Sequence, residues 1–189
     1  QHAPTWDTQG PDPAATLRRL RELDGRLGLR PGQDVLEVGC GTGQITGWLV
    51  DLVKPGRVVA ADFSPAMLEQ ARARGWATEF RHWDICVEQP VAERFDVVLC
   101  FHSFPHFRDP AGALRQMARL LKPGGELVVM HLAGSTPLNA FHRQVGGAVG
   151  GDRLPPAAEW PALLQPAGLC LISADDRDDL FLVKARLAG

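Results

Sequence analysis

Three glycines in five residues, Gly39, Gly41 and Gly43, stand between an apolar run and a segment with helical spacing. The run Asp34 to Val38 reads as a strand, and Ile45, Trp48, Leu49 and Leu52 recur at the spacing of one helix face. Glycine at such a junction lets the chain turn tightly and lets a ligand approach the backbone. The helix start beyond it offers unpaired N–H groups to an anionic group. Asp62 ends the next apolar run, Arg57 to Ala61, where a carboxylate can accept both hydroxyls of a ribose. The dinucleotide fingerprint G-x-G-x-x-G needs glycine at position 44, which here is Gln44. The spacing is G-x-G-x-G, with Glu37 two residues ahead of the first glycine.

The alternation continues along the chain. Asp12-Pro13 is a cap-then-proline helix start, with Leu17, Leu20, Leu23 and Leu27 on one stripe and Gly28 ending it. Ser64-Pro65 opens a helix carrying Met67, Leu68 and Ala71, and Asp109-Pro110 opens another carrying Leu114, Met117, Ala118 and Leu121. Lys122-Pro123-Gly124-Gly125 reads as the stop of that helix. Further strands are expected at Thr78 to Trp83, Phe95 to Phe101, Glu126 to Met130, Leu169 to Ser173 and Leu180 to Ala185. Ala157 to Ala167 reads as one helix, and the glycine-rich stretch 132–155 has no clear period. Near-continuous apolar strands alternating with helices mean an α/β fold, a mostly parallel sheet covered on both faces. Ligands of such sheets bind at the C-terminal ends of the strands.

Composition narrows the function. Hydrophobic residues make up 45% and charged residues 22%, an ordinary globular balance that excludes wholesale disorder. With 20 basic and 22 acidic residues the net charge is -2, which attracts no nucleic acid. No apolar run approaches the ~20 residues of a membrane helix, and residues 1–4 show neither a basic start nor a signal core. Cys40, Cys86, Cys100 and Cys170 are scattered without a C-x-x-C pair, which fits a reducing cytoplasm and excludes an iron–sulfur cluster. Residues 1–11 are expected to be a flexible tail, and 12–189 one domain in which 132–155 covers the substrate.

Four motifs in order, E-V-G-C-G-T-G (37–43), A-D-F-S-P-A-M-L (61–68), F-D-V-V-L (95–99) and L-L-K-P-G-G-E-L (120–127), carry a family resemblance. The chain resembles the class I S-adenosylmethionine (SAM) methyltransferases, in particular the small-molecule type near the ubiquinone and menaquinone biosynthesis enzymes. The resemblance implies a Rossmann-like, seven-stranded, mostly parallel sheet with helices on both faces. It also implies that Gly39, Gly41 and Gly43 face the methionine part of SAM, with Glu37 serving its ammonium group. Asp62 would take the ribose hydroxyls, Phe63 and Met67 would pack near the adenine, and Asp84 with Ile85 would recognise its amino group. Cys100 and Phe101 would lie under the sulfonium.

Of the six histidines, His102 follows the strand at 95–101, His106 comes four residues later, His131 follows the strand at 126–130, and His142 lies in P-L-N-A-F-H-R. In this fold the first three should converge near the SAM methyl, with His142 descending onto them. An imidazole there can act as a general base near neutral pH. Three of them, His106, His131 and His142, could instead hold a divalent metal. The reading is a SAM-dependent methyltransferase acting on a small-molecule acceptor without nucleic-acid or membrane partners. A SAM-binding module without catalysis and a nicotinamide-dependent oxidoreductase are the alternatives. The acceptor, the atom methylated and the oligomeric state stay open.

Overall fold

The computed structural model describes residues 12–88 and 92–189, so the tail expected at 1–11 lies outside the described residues. Seven strands, β1 (Asp34–Val38), β2 (Arg57–Asp62), β3 (Glu79–His82), β4 (Phe95–Phe101), β5 (Leu121–His131), β6 (Leu169–Arg177) and β7 (Leu180–Leu187), form one sheet in the order β3-β2-β1-β4-β5-β7-β6. The chain divides into one compact unit ending at Asp84 and a second from Ile85 to Gly189. Among the described residues, no helix is long and apolar enough to cross a membrane.

The first unit begins with α1 (Pro13–Leu27), where the Asp12 carboxylate accepts from the Ala14 and Ala15 N–H groups at 3.0 and 3.2 Å. Gly28, at φ 74°, ends the helix in the left-handed conformation that glycine adopts without steric cost. Then β1 (Asp34–Val38), α2 (Thr46–Val53), β2 (Arg57–Asp62), α3 (Pro65–Ala73) and β3 (Glu79–His82) alternate. β2 pairs in parallel with β1 and with β3. Val58, Val59, Ala60 and Ala61 are all buried, as expected of a strand covered on both faces.

The second unit carries β4 (Phe95–Phe101), α4 (Pro110–Arg119), β5 (Leu121–His131), α5 (Ser135–Val145), α6 (Trp160–Leu164), β6 (Leu169–Arg177) and β7 (Leu180–Leu187). β5 runs parallel to β4 and antiparallel to β7, and β6 and β7 close the sheet as a hairpin. Trp160, Phe104 and Phe181 are fully buried and pack as a chain of tilted rings, with centroids 4.8 and 5.8 Å apart.

Two sequence expectations need correcting. Leu121 belongs to β5 and not to α4, because it pairs with Phe95 across the sheet; K-P-G-G lies inside the long strand, next to an irregularity in the register between Phe95 and Val97. The single helix expected at 157–167 is three short pieces, a 3-10 turn at Ala157–Glu159, α6, and a 3-10 turn at Gln165–Ala167. Pro161 and Pro166 each lack an N–H, so no regular α-helical ladder can run through them.

Candidate functional site

The loop after β1 is held by its own backbone and by one carboxylate. The Gly39 and Cys40 N–H groups both donate to the Ala61 carbonyl, at 2.8 and 3.0 Å, which turns the chain sharply off the strand end. Gly39, Gly41 and Gly43 have φ of 70°, 55° and 74°, a region in which side chains with a Cβ are strained. A Cβ at Gly43 would also lie 3.2 Å from the Ala71 Cβ, so this glycine lets α3 approach the loop. A Cβ at Gly41 would meet nothing within 4 Å, so the loop leaves open space there.

Asp62 ends β2 beside that loop. Its Oδ2 accepts from the Gly41 N–H at 2.8 Å and its Oδ1 from the Ser64 N–H at 2.9 Å. Burial raises its pKa, and the two N–H groups pull the other way. Glu37, on β1, is buried and accepts from the Thr46 hydroxyl at 2.6 Å. Burial pushes its carboxyl up to about 8, so it carries its proton at neutral pH. Phe63 stands 65% exposed directly after Asp62, an apolar ring with little cover, while Met67 and Asp84 are half-buried. Trp76 and Arg74, just past α3, donate to the Gly43 and Thr42 carbonyls at 3.3 and 2.7 Å and satisfy the loop's outward backbone.

In the second unit, Ile85, Cys100 and Phe101 are buried. The Cys100 Sγ lies 3.0 Å from the Ser103 hydroxyl, and burial lifts its thiol to about 12, far from a reactive thiolate. Phe101 stacks on His102 at 4.0 Å, and His102 stacks on His131 at 5.2 Å. His102 is also the one described non-glycine residue at positive φ, 55°, and its Nε2 accepts from the Leu132 N–H at 2.9 Å. That bond fixes the proton of the neutral ring on Nδ1. Burial lowers the His102 pKa to about 4 and lowers that of His131 well below its usual value. His131 Nε2 is buried with no hydrogen-bond partner.

His106 and His142 form a second ring pair, centroids 5.6 Å apart. His106 sits in a 3-10 turn at Phe104–His106, and its Nδ1 lies 2.6 Å from Asp152 Oδ2. His142 Nδ1 lies 3.1 Å from the backbone carbonyl of the same Asp152. The four histidines therefore gather in one unit, as two ring pairs. Among the described residues, no group of three or more His, Cys, Asp or Glu side chains is arranged to hold a metal ion. The geometry thus does not support the metal reading of His106, His131 and His142: two of those rings turn Nδ1 to Asp152, and His131 is paired instead with His102.

Asp152, Thr46 and Trp76 are site residues that the sequence pattern does not single out. Asp152 follows two glycines in a stretch without period, and its partners lie 46 and 10 residues away. Ser135, Asn139 and His142 do fall at helical spacing on α5, a polar stripe on an inward face that is legible once the helix is recognised.

The strand order and the glycine loop define a Rossmann-like, class I methyltransferase fold. Residues 36–129 match the methyltransferase domain family. A ubiquinone biosynthesis O-methyltransferase of Xanthomonas oryzae pv. oryzae (strain PXO99A) is 36% identical over 174 residues, covering 87% of this chain and 71% of the relative. The chain belongs to this family and is a SAM-dependent methyltransferase. A solved structure of a SAM-dependent methyltransferase from Aquifex aeolicus has TM-score 0.71 at 21% identity, over 93% of this chain and 98% of that one. A structure of DhpI in complex with SAH has TM-score 0.76 at 22% identity, over 100% and 92%. These two likenesses concern the fold. The nicotinamide alternative falls with the family match.

Proposed function

We propose that this chain moves a methyl group from SAM to a hydroxyl oxygen of a small molecule, working as one methyltransferase domain over residues 12–189. The observation that carries the reading is the loop after β1, whose positive-φ glycines leave open space beside Gly41 and are braced by the Asp62 carboxylate. The hydroxyl acceptor is supported by the O-methyltransferase relatives. Four cysteines scattered without a C-x-x-C pair support a reducing compartment, the cytoplasm.

The residues of the loop fit SAM. In this reading Gly39, Gly41 and Gly43 face its methionine part, and Glu37 answers the ammonium group. A carboxylate offers about four lone-pair positions. Asp62 uses two on backbone N–H groups and keeps the rest for the two ribose hydroxyls. Phe63 offers its exposed ring to the adenine, Met67 packs beside it, and Asp84 takes the amino group. When bound, SAM supplies a methyl group on a positively charged sulfur. The chain's own work is to fix the reacting partners and to accept the proton that the acceptor hydroxyl gives up. We assign that proton to the histidines of the second unit, and acceptor cover to residues 132–155.

The test is SAM with a labelled methyl group, offered together with a panel of simple phenols. Labelled ether and SAH forming together, at a rate at least tenfold lower in Asp62→Ala, support the reading. SAM binding without transfer to any phenol, at any pH from 6 to 9, favours the non-catalytic SAM module instead.

A further inference from the structure

Four clustered imidazoles pose a choice, since only one of them can take the proton of the acceptor at a time without repelling the next. We propose that Asp152 makes that choice: its carboxylate orients His106 as the proton acceptor for methyl transfer, and its backbone carbonyl holds His142 in the matching tautomer. This rests on the methyltransferase reading and names the residue that organises its base.

Hydrogen-bond supply sets the tautomer of each ring. A carboxylate and a carbonyl only accept. Each therefore requires the ring nitrogen facing it to carry a hydrogen, so His106 and His142 both hold theirs on Nδ1. That leaves a lone pair on each Nε2, and neither Nε2 has a partner among the described residues. The other two rings are poorly suited. His102 has its Nε2 lone pair committed to the Leu132 N–H, and His131 is 3% exposed, its Nε2 without a hydrogen-bond partner among the described residues. Of the four rings, only His106 has a carboxylate among the described residues to balance an imidazolium, at 2.6 Å. The charged or titratable groups facing it are Asp152, from the turn after α5, His142, from α5, and His102 and His131, from the ends of β4 and β5.

Asp152 is held as a positioning residue needs to be. Its N–H donates to the Val149 carbonyl at 3.0 Å, closing a turn. Two residues on, buried Leu154 is bracketed by Asn139 of α5: its N–H donates to Asn139 Oδ1 at 2.8 Å, and Asn139 Nδ2 donates to its carbonyl at 2.9 Å. Between them, Arg153 makes a two-pronged contact with Glu159 at 2.9 and 2.6 Å. At the start of α5, the Asp176 carboxylate accepts from the Ser135 N–H and hydroxyl and from the Ala157 N–H. These contacts hold the backbone on either side of Asp152 in place, the preorganisation that makes an oriented base effective.

The chemical step balances. The acceptor O–H bond breaks and its proton goes to His106 Nε2. The oxygen lone pair forms the new O–CH3 bond, the S–CH3 bond breaks, and its electron pair stays on sulfur to give neutral SAH. His106 later returns the proton to water.

The first test needs no acceptor. In 15N-histidine-labelled protein at pH 7.5, long-range 15N–1H spectra are expected to show His106 and His142 protonated at Nδ1 and bare at Nε2. Asp152→Asn is expected to release His106 from that single tautomer while leaving His142, held by the backbone, unchanged. A wild-type His106 protonated at Nε2 overturns the proposal whatever the variants do. The second test follows labelled methyl transfer from SAM to simple phenols. His106→Ala is expected to lose at least 100-fold in kcat, and Asp152→Asn to lose tenfold or more, with the acid limb of its kcat/KM profile moved to lower pH. Asp152→Glu should recover part of the rate. Transfer by the wild type that survives within threefold in His106→Ala refutes the dyad and spares the methyltransferase reading. No transfer by the wild type, with the expected tautomers present, points the failure at that reading instead.

Discussion

Replacing Glu37 with Gln should remove a large part of the pH dependence of folding stability above about pH 4.5. Glu37 is 2% exposed on β1, and burial lifts its carboxyl from 4.5 to about 8, against the lowering effect of the Thr46 hydroxyl. Between those values the folded chain keeps a proton that the unfolded chain releases. The contribution of Glu37 to stability is therefore greatest below 4.5 and falls as pH rises towards 8. The rise from 4.5 to about 8, at about 1.4 kcal/mol per pH unit, sets a ceiling on the order of 5 kcal/mol. Water drawn towards the ionised group should bring the measured loss nearer about 2–3 kcal/mol. Gln keeps a carbonyl for Thr46 and does not titrate, so it isolates the charge from the packing. Urea unfolding of both ligand-free proteins at half-unit steps from pH 5 to pH 8 measures it. The wild-type midpoint should drop relative to that of the variant across the series. Two parallel curves, offset by a constant amount at every pH, would refute the reasoning.

Other perturbations test other parts of the account. Asp62→Ala strips the acceptors from the Gly41 and Ser64 N–H groups and should cost about 2 kcal/mol in urea unfolding at pH 7, even without SAM; an unchanged midpoint would mean that the carboxylate does not brace the loop. A Cβ at Gly134 would sit 2.1 Å from the Arg177 carbonyl, so Gly134→Ala should displace the start of α5, cost about 2–3 kcal/mol and lower Tm by several degrees. A wild-type Tm in that variant would contradict the packing described for this helix. His102 and His131 are pushed down in pKa by burial, His102 from 6.5 to about 4, so the stability they contribute is present above 6.5 and is lost as pH falls towards 4. Thermal melts from pH 7 to pH 4.5 should therefore fall less steeply for His131→Gln than for the wild type.

Local patterns carried the first unit almost completely. The apolar runs at 34–38 and 57–61, the Asp12-Pro13 and Ser64-Pro65 helix starts and the glycine loop each depend on residues a few positions apart, and they appear where propensity and capping place them. The second unit was less legible, for physical reasons. Leu121 fits the apolar stripe of α4 by spacing, yet pairing with Phe95, 26 residues earlier, claims it for β5. The residues 132–155 look formless because what orders them is distant: Asp176 caps α5 from β6, and no side chain of its own N-cap, Gly134, can do so. The convergence of the histidines follows from strand ends and could be anticipated. Asp152, the group that distinguishes His106 from the other rings, has no local signature, because its hydrogen bonds exist only in the folded unit.

If the glycine loop and Asp62 form a SAM site, calorimetric titration of the purified chain with SAM reads it out without any acceptor. A single-site isotherm with micromolar affinity is expected, similar for SAH, at least tenfold weaker in Asp62→Ala, and without a matching signal from NAD. No heat with SAM from a folded chain, or tighter binding of NAD than of SAM, would contradict it.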